Sequence, residues 1–191
     1  MLLYLPCIGD LVFWSKLVQN SPATINTNHT FQKQCDLSQF EIASAQGRQK
    51  LSIPTVKATR KGLYKNVEID FSSNWQLEHW RSIENAYLKS PFFLYYGYKI
   101  EPLLTLKEKN LLTFNKALIG SISNCLKMTS PAFNNKEQIA VNRTKEVLGH
   151  PPLEYPQVFD TRVAFQENLS ILDLLFNLGP ETKEYLSSLH L

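Results

Sequence analysis

No run in this 191-residue chain comes near the ~20 consecutive apolar residues that a membrane-crossing helix needs, which removes helical spans from consideration. Cysteine is scarce. Cys7, Cys35 and Cys125 are odd in number, far apart and without a C-x-x-C pair, so neither a disulfide framework nor a zinc ribbon is legible; reduced thiols in the cytoplasm are the expectation. Gly at 7 and Pro at 10 are too few for collagen-like or low-complexity segments. An excess of one charge is missing too: 20 Lys and Arg against 17 Asp and Glu leaves +3, which argues for neither nucleic acid nor a membrane surface. The apolar start has no Lys or Arg before it and is broken by Pro6, Gly9 and Asp10, unlike a secretory signal. What is present is 43% hydrophobic and 12% aromatic, a globular composition. A chain of this length buries roughly 70% of its extended surface on folding.

Patterning divides the chain into a sheet-rich part, residues 1–72, and a helix-rich part, residues 73–191, expected to form one domain. Leu2 to Leu5 reads as a strand, Pro6 to Asp10 as a turn, Leu11 to Val18 as a buried helix and Ala23 to Asn26 as a second strand, a unit that makes parallel pairing the expectation. Phe40 to Ala43, Lys50 to Lys57 and Tyr64 to Phe71 carry β-branched and aromatic residues in partial alternation and predict three strands, the last two joined by a hairpin loop over Ala58 to Gly62. Ser73 and Gln76 form a capping-box pattern before a helix from Asn74 to about Lys89, with Trp75, His79, Ile83 and Tyr87 on one face. Ser90 and Pro91 then suit the start of a short aromatic helix, and Leu111, Phe114, Leu118, Ile122 and Cys125 mark a longer one within Leu106 to Lys127. Asn134 to Pro156 is polar and poorly periodic, as a surface excursion would be. Ser170 and Asp173 make a second capping-box pattern, Gly179 stops that helix, and Pro180 opens another. The predicted class is α+β or mixed α/β, with the N-terminal unit and the middle strands in one sheet and the helices packed on it.

The usual catalytic signatures are missing. There is no G-x-G-x-x-G, G-x-x-x-x-G-K-[ST], H-E-x-x-H or G-x-S-x-G, and the histidines at 29, 79, 150 and 190 lack metal-ligand spacing, so no metal or cofactor is expected. His79 is the natural general base by residue type, though its place on an apolar stripe suits a core histidine equally. Lys33, in the polar stretch Thr30 to Asp36, reads either as a surface lysine or as an ammonium that steadies a phosphate or carboxylate. Tyr155, Gln157, Asn168, Ser170 and Asp173 gather before a helix start, where they serve either the cap or an anionic ligand. Arg48, Lys50, Lys57, Arg60, Lys61 and Lys65 are basic, but strand alternation would scatter them over two faces without stacking aromatics, so no nucleic-acid partner is expected.

Several stretches together resemble the WbqC-like family of bacterial proteins: Tyr4, Leu5, Pro6 and Gly9; Phe31 to Gln34; Gly47 with Leu51, Ser52, Ile53 and Pro54; Trp75, His79, Trp80, Ile83 and Tyr87; Ser90 to Phe93 with Tyr95 and Tyr96; and a closing run through Tyr155, Gln157, Asn168 and Ser170 to Pro180. The resemblance implies a place near O-antigen and rare-sugar assembly. It points to a transferase passing an acyl or aminoacyl group to the amine of an activated sugar, or to a non-catalytic binding or scaffold protein of the same pathway. It also raises Tyr4, Lys33, His79, Tyr155, Gln157, Asn168, Ser170 and Asp173 as pocket candidates for a small-molecule partner such as a nucleotide sugar or acyl donor. The chain departs from the family pattern where two arginines flanking an asparagine are replaced by Leu37, Ser38 and Gln39, and where a His-Gly pair is replaced by Val163 and Ala164. If those arginines hold an anion, this member binds it more weakly.

Overall fold

Two short stretches of parallel strand, β1 (Leu2–Tyr4) and β2 (Thr24–Asn26), are joined by helix α1 (Leu11–Gln19), as the strand, helix, strand pattern predicts. The fold is described from a computed structural model over residues 2–33, 35–135 and 153–190. The Asp10 side chain caps α1, accepting the Phe13 amide hydrogen at 2.9 Å. Its apolar residues Leu11 to Trp14 and Leu17 are all buried. A third parallel strand, β5 (Ala132–Asn134), adds to β2 at the register Thr24–Ala132 and Asn26–Asn134.

The middle of the chain forms a separate sheet. Strands β3 (Gln39–Ser44) and β4 (Gly47–Ser52) pair antiparallel from Gln39–Ser52 to Ser44–Gly47. The mixed α+β class and the helical C-terminal half therefore stand, while the single sheet divides into two. Tyr64 to Phe71 is not a strand: 3₁₀ turns at Lys57–Arg60 and Tyr64–Asn66 lead into an extended run held by isolated bridges, Thr55 to Ile69 and Glu68 to Asn110. The alternation of Val67 and Ile69 records their burial against the core and not a ladder.

The helices α2 (Trp75–Tyr87), α3 (Phe93–Leu104) and α4 (Leu111–Cys125) follow, then α5 (Ile171–Leu178) and α6 (Thr182–Ser188). Both capping boxes fail to form. The Gln76 amide reaches across to the Leu104 and Leu106 carbonyls at 2.7 and 2.9 Å, and Asn74 is the residue before α2 without a side-chain cap. Ser170 precedes α5 but only its backbone carbonyl receives the Asp173 amide hydrogen. The aromatic helix starts later and runs longer than its sequence suggests, from Phe93 to Leu104 with Pro102 inside it. Gly179 ends α5 at φ +54, where a Cβ would stand 2.5 Å from the Phe92 ring, so close approach as well as conformation demands glycine. From Ile171 to Asn177 every residue of α5 is buried, which places it at the centre of the core. Of the predicted surface excursion, residues 136–152 lie outside the described residues; Asn134 is strand and Tyr155 is buried. Among the described residues no helix is long and apolar enough to cross a membrane.

Candidate functional site

Proline shapes the cleft. Pro54 has no amide hydrogen for a ladder, so the hairpin ends with the Ile53 amide donating to the Ser38 carbonyl at 2.8 Å, and the chain turns off through Thr55. Strand alternation then sorts the hairpin's faces: the cross-strand pair Phe40–Leu51 is buried in the core, and the adjacent pair Gln39–Ser52 faces outward. That outward end, with Ser38, Ile53, Pro54 and Thr55, joins Phe31, Lys33 and Arg60 to line a cleft of about 320 Å³. The volume falls at the lower end of the range for small-ligand sites.

The two segments that bring cations to it are stitched together. The Phe31 amide donates to the Gly62 carbonyl at 2.9 Å and Thr30 bridges Leu63, so the stretch with Lys33 lies against the turn that follows Arg60. Lys33 is exposed and makes no ion pair among the described residues. Arg60 is held: its Nε donates to Thr55 Oγ1 at 2.8 Å and its Nη2 to the Thr55 carbonyl, with Thr55 itself buried. The lining includes no carboxylate, imidazole or thiol. Two cations and several hydroxyls can bind and orient an anion; proton transfer needs a group from elsewhere.

The predicted site residues fall into four places. His79 sits on α2 at 7% exposure, its ring edge-on to Phe40 (centroids 5.9 Å) and to Trp75 (5.1 Å), with Nδ1 buried and without a hydrogen-bond partner. Burial pushes its pKa down to about 4, so the ring is neutral near pH 7. Since Phe40 faces α2 and its neighbour Gln39 lines the cleft, strand β3 stands between the imidazole and the cleft. Tyr4, at the end of β1, donates to Asp36 Oδ2 at 2.6 Å; burial and then the Asp36 carboxylate hold its phenol protonated well above the ordinary range. It also meets His29 edge-on, and His29 and Phe31 both stack on Tyr64, so this aromatic group backs the cleft through Phe31.

Tyr155, Gln157 and Asp173 do come together, remote from the cleft lining. The Tyr155 hydroxyl and the Gln157 amide donate to Asp173 Oδ2 at 2.6 and 2.8 Å, and Gln157 is in turn fixed by the Gln166 backbone through Nε2 to its carbonyl at 3.0 Å and its amide to Oε1 at 2.9 Å. The Tyr87 hydroxyl accepts the Ala43 amide hydrogen and couples to the same carboxylate. All of these side chains are buried, and burial raises the Asp173 pKa against the hydrogen bonds that lower it. Asn168, at φ +48, donates to Asp10 Oδ2 at 2.9 Å and accepts from the Val12 amide at 3.1 Å, tying the entry of α5 to the cap of α1. The Ser170 amide donates to the Glu41 carbonyl, and its hydroxyl is buried without a partner. Among contacts of the described residues none links His79 to this set; Tyr87, two helical turns on, is the α2 residue that reaches it.

Of the predicted residues only Lys33 lines the cleft. Sequence reading missed Arg60, Thr55, Ser38 and Gln39. The available signal was that both stretches of the resemblance contribute lining residues to this cleft, Phe31 and Lys33 from one and Ser52, Ile53 and Pro54 from the other. No grouping of three or more potential metal-ligating residues occurs among the described residues. A family model, that of the WbqC-like protein family, matches residues 3–150. The matched span contains the cleft, Tyr4, Lys33 and His79 and stops before Tyr155. No curated protein and no solved structure gives a match.

Proposed function

The chain belongs to the WbqC-like protein family, and from that premise we propose that it binds an activated amino sugar or its acyl donor in surface-polysaccharide biosynthesis, with the hairpin cleft as the ligand seat. One observation carries this reading: the segments around Lys33, Ser52 and Arg60 converge on an open cleft lined by cations and hydroxyls and by no carboxylate. The cleft's lack of an acid or base among its lining residues favours binding over turnover. Titration calorimetry with a set of nucleotide sugars and acyl-coenzyme A donors tests it. Saturable binding that vanishes in Ser52→Trp, which fills the cleft from an exposed strand position, is the expected result. No binding by any probe, or equal binding by the variant at unchanged melting temperature, overturns it.

Acyl or aminoacyl transfer to the sugar amine is the second reading, favoured by the neutral His79 imidazole one strand away from the cleft. A ring with a pKa of about 4 accepts a proton only weakly at pH 7. Mass detection of an acylated amino sugar after incubation with donor and acceptor supports transfer. Product formed equally by His79→Gln removes the imidazole from it.

A further inference from the structure

Resting on the same reading of the cleft, we propose that it selects the phosphate-bearing end of its ligand, with Arg60 as a second, positioned cation beside Lys33. Sequence pattern places Arg60 in a scattered basic run; the 3₁₀ turn at Lys57–Arg60 instead folds it back onto Thr55. The contact to Thr55 uses the Nε–H and one Nη2–H of the guanidinium, which leaves the Nη1–Nη2 edge, the edge that matches two oxygens of a phosphate. Because Thr55 is buried and already fixes the fork, little side-chain freedom is lost when an anion arrives. Asp70 is the carboxylate that feels this charge, but it takes the Ser72 amide hydrogen and makes no ion pair with Arg60, so the guanidinium is not neutralised by a close ion pair among the described residues.

The position of this pair is informative. Gln39 lines the cleft at a position where the resembled family pattern has an arginine. Here the positive charge enters from the other wall, through Arg60, while Ser38, Ser52 and Thr55 add hydroxyls and no lining carboxylate repels an anion. About 320 Å³ suits a phosphorylated monosaccharide or the diphosphate end of a nucleotide sugar.

The probes are sodium pyrophosphate, glucosamine 1-phosphate, unphosphorylated N-acetylglucosamine and UDP-N-acetylglucosamine, titrated calorimetrically into the full chain at low and high salt. Pyrophosphate and the two phosphorylated sugars bind, and weaken as salt rises; N-acetylglucosamine does not bind. Arg60→Gln lowers pyrophosphate affinity at least tenfold with its melting temperature unchanged. Thr55→Val, which keeps the charge and loosens the fork, lowers it about threefold, and Thr55→Ser restores it. Pyrophosphate affinity unchanged in Arg60→Gln, or N-acetylglucosamine bound as tightly as the phosphorylated sugars, overturns the proposal. The two readings fail separately. UDP-N-acetylglucosamine binding blocked by Ser52→Trp yet untouched by Arg60→Gln leaves the ligand seat and removes the phosphate clamp. Arg60-dependent pyrophosphate binding with no nucleotide sugar or acyl donor bound does the reverse.

Discussion

Around Asp173, two neighbouring side chains commit their donors to one buried carboxylate, and the chain's approach to α5 is fixed by that closure. Around Lys33, by contrast, a lysine, a serine and a glutamine end in a cleft with their polar atoms open to water. The two sets span similar lengths of chain, Tyr155 to Asp173 and Lys33 to Ser52, so separation in sequence does not tell them apart. In the first, donors and acceptors satisfy one another away from water and hold the fold together. In the second, polar side chains line an open cleft and keep capacity for other partners. The contrast also explains why polar residue types alone mislead: tyrosine, glutamine and aspartate serve as internal staples when water is excluded, because a satisfied buried network specifies the packing and a broken one is expensive.

The contrast is tested most severely by Asp173→Ala. It strands the Tyr155 hydroxyl and the Gln157 amide away from water and removes the group that orients both. A loss of about 3 kcal/mol is expected, which for a chain of this size lowers the melting temperature by about 10 °C. A protein that melts as the wild type does but no longer binds ligand would reverse the assignment and make the closed cluster the site. Gly179→Ala probes the other end of the same helix. With φ at +54 and the Phe92 ring 2.5 Å from the new methyl, the residue must strain the backbone and displace the ring. About 2 kcal/mol is expected from denaturant unfolding; a neutral result means that the α5 stop is softer than its geometry implies.

His79 belongs to neither region, and its assignment has a pH signature. Its folded pKa is about 4, below the ordinary histidine value, because burial disfavours the charged ring. The unfolded chain therefore binds the proton more readily, so stability is full above about pH 6.5 and is lost as pH falls toward 4. The loss reaches on the order of 2 kcal/mol near pH 4.5. His29, lowered in the same direction by burial, adds to the slope, while Asp173, raised by burial, opposes it. Subtracting the unfolding curve of His79→Leu isolates the ring: the variant loses less stability between pH 7 and pH 4.5 and binds ligand within twofold of the wild type. A variant with the same pH dependence, or one that loses binding at unchanged stability, moves His79 out of the core and toward the cleft.

How far these regions were legible in the sequence follows from what each signal records. The burial of α1, α2, α4 and α5 is written in apolar spacing, and their centres are where the spacing puts them. The spacing over Val67 and Ile69 is as regular, yet it records only alternate burial of an extended chain, since the partners of that chain are loops. Both capping boxes are local rules overridden by tertiary competition: the Gln76 amide finds two carbonyls beyond α3, and the Asp173 carboxylate finds Tyr155 and Gln157. Strand β5 is three residues long beside Pro131, too short to show a period. Lys33 was legible by residue type and resemblance. Arg60 was not, because its relation to Thr55 depends on a 3₁₀ turn that no periodicity announces.

The smallest expected effect on folding is the most discriminating for function. Lys33→Glu changes the charge at an exposed residue that makes no ion pair among the described residues, so its unfolding free energy should stay within about 0.5 kcal/mol of wild type. The same change places a carboxylate in the cleft that the Arg60 guanidinium and the hydroxyls also line. A carboxylate lining the same cleft competes for the guanidinium and repels an incoming anion, so pyrophosphate binding falls below detection in calorimetry. Lys33→Arg, which keeps the charge, retains most of it. A residue that holds the fold together registers in stability first and in binding only as a consequence; a residue that waits for a ligand registers in binding alone. If Lys33→Glu unfolds the protein, or binds pyrophosphate as the wild type does, the open region loses its distinction from the closed one.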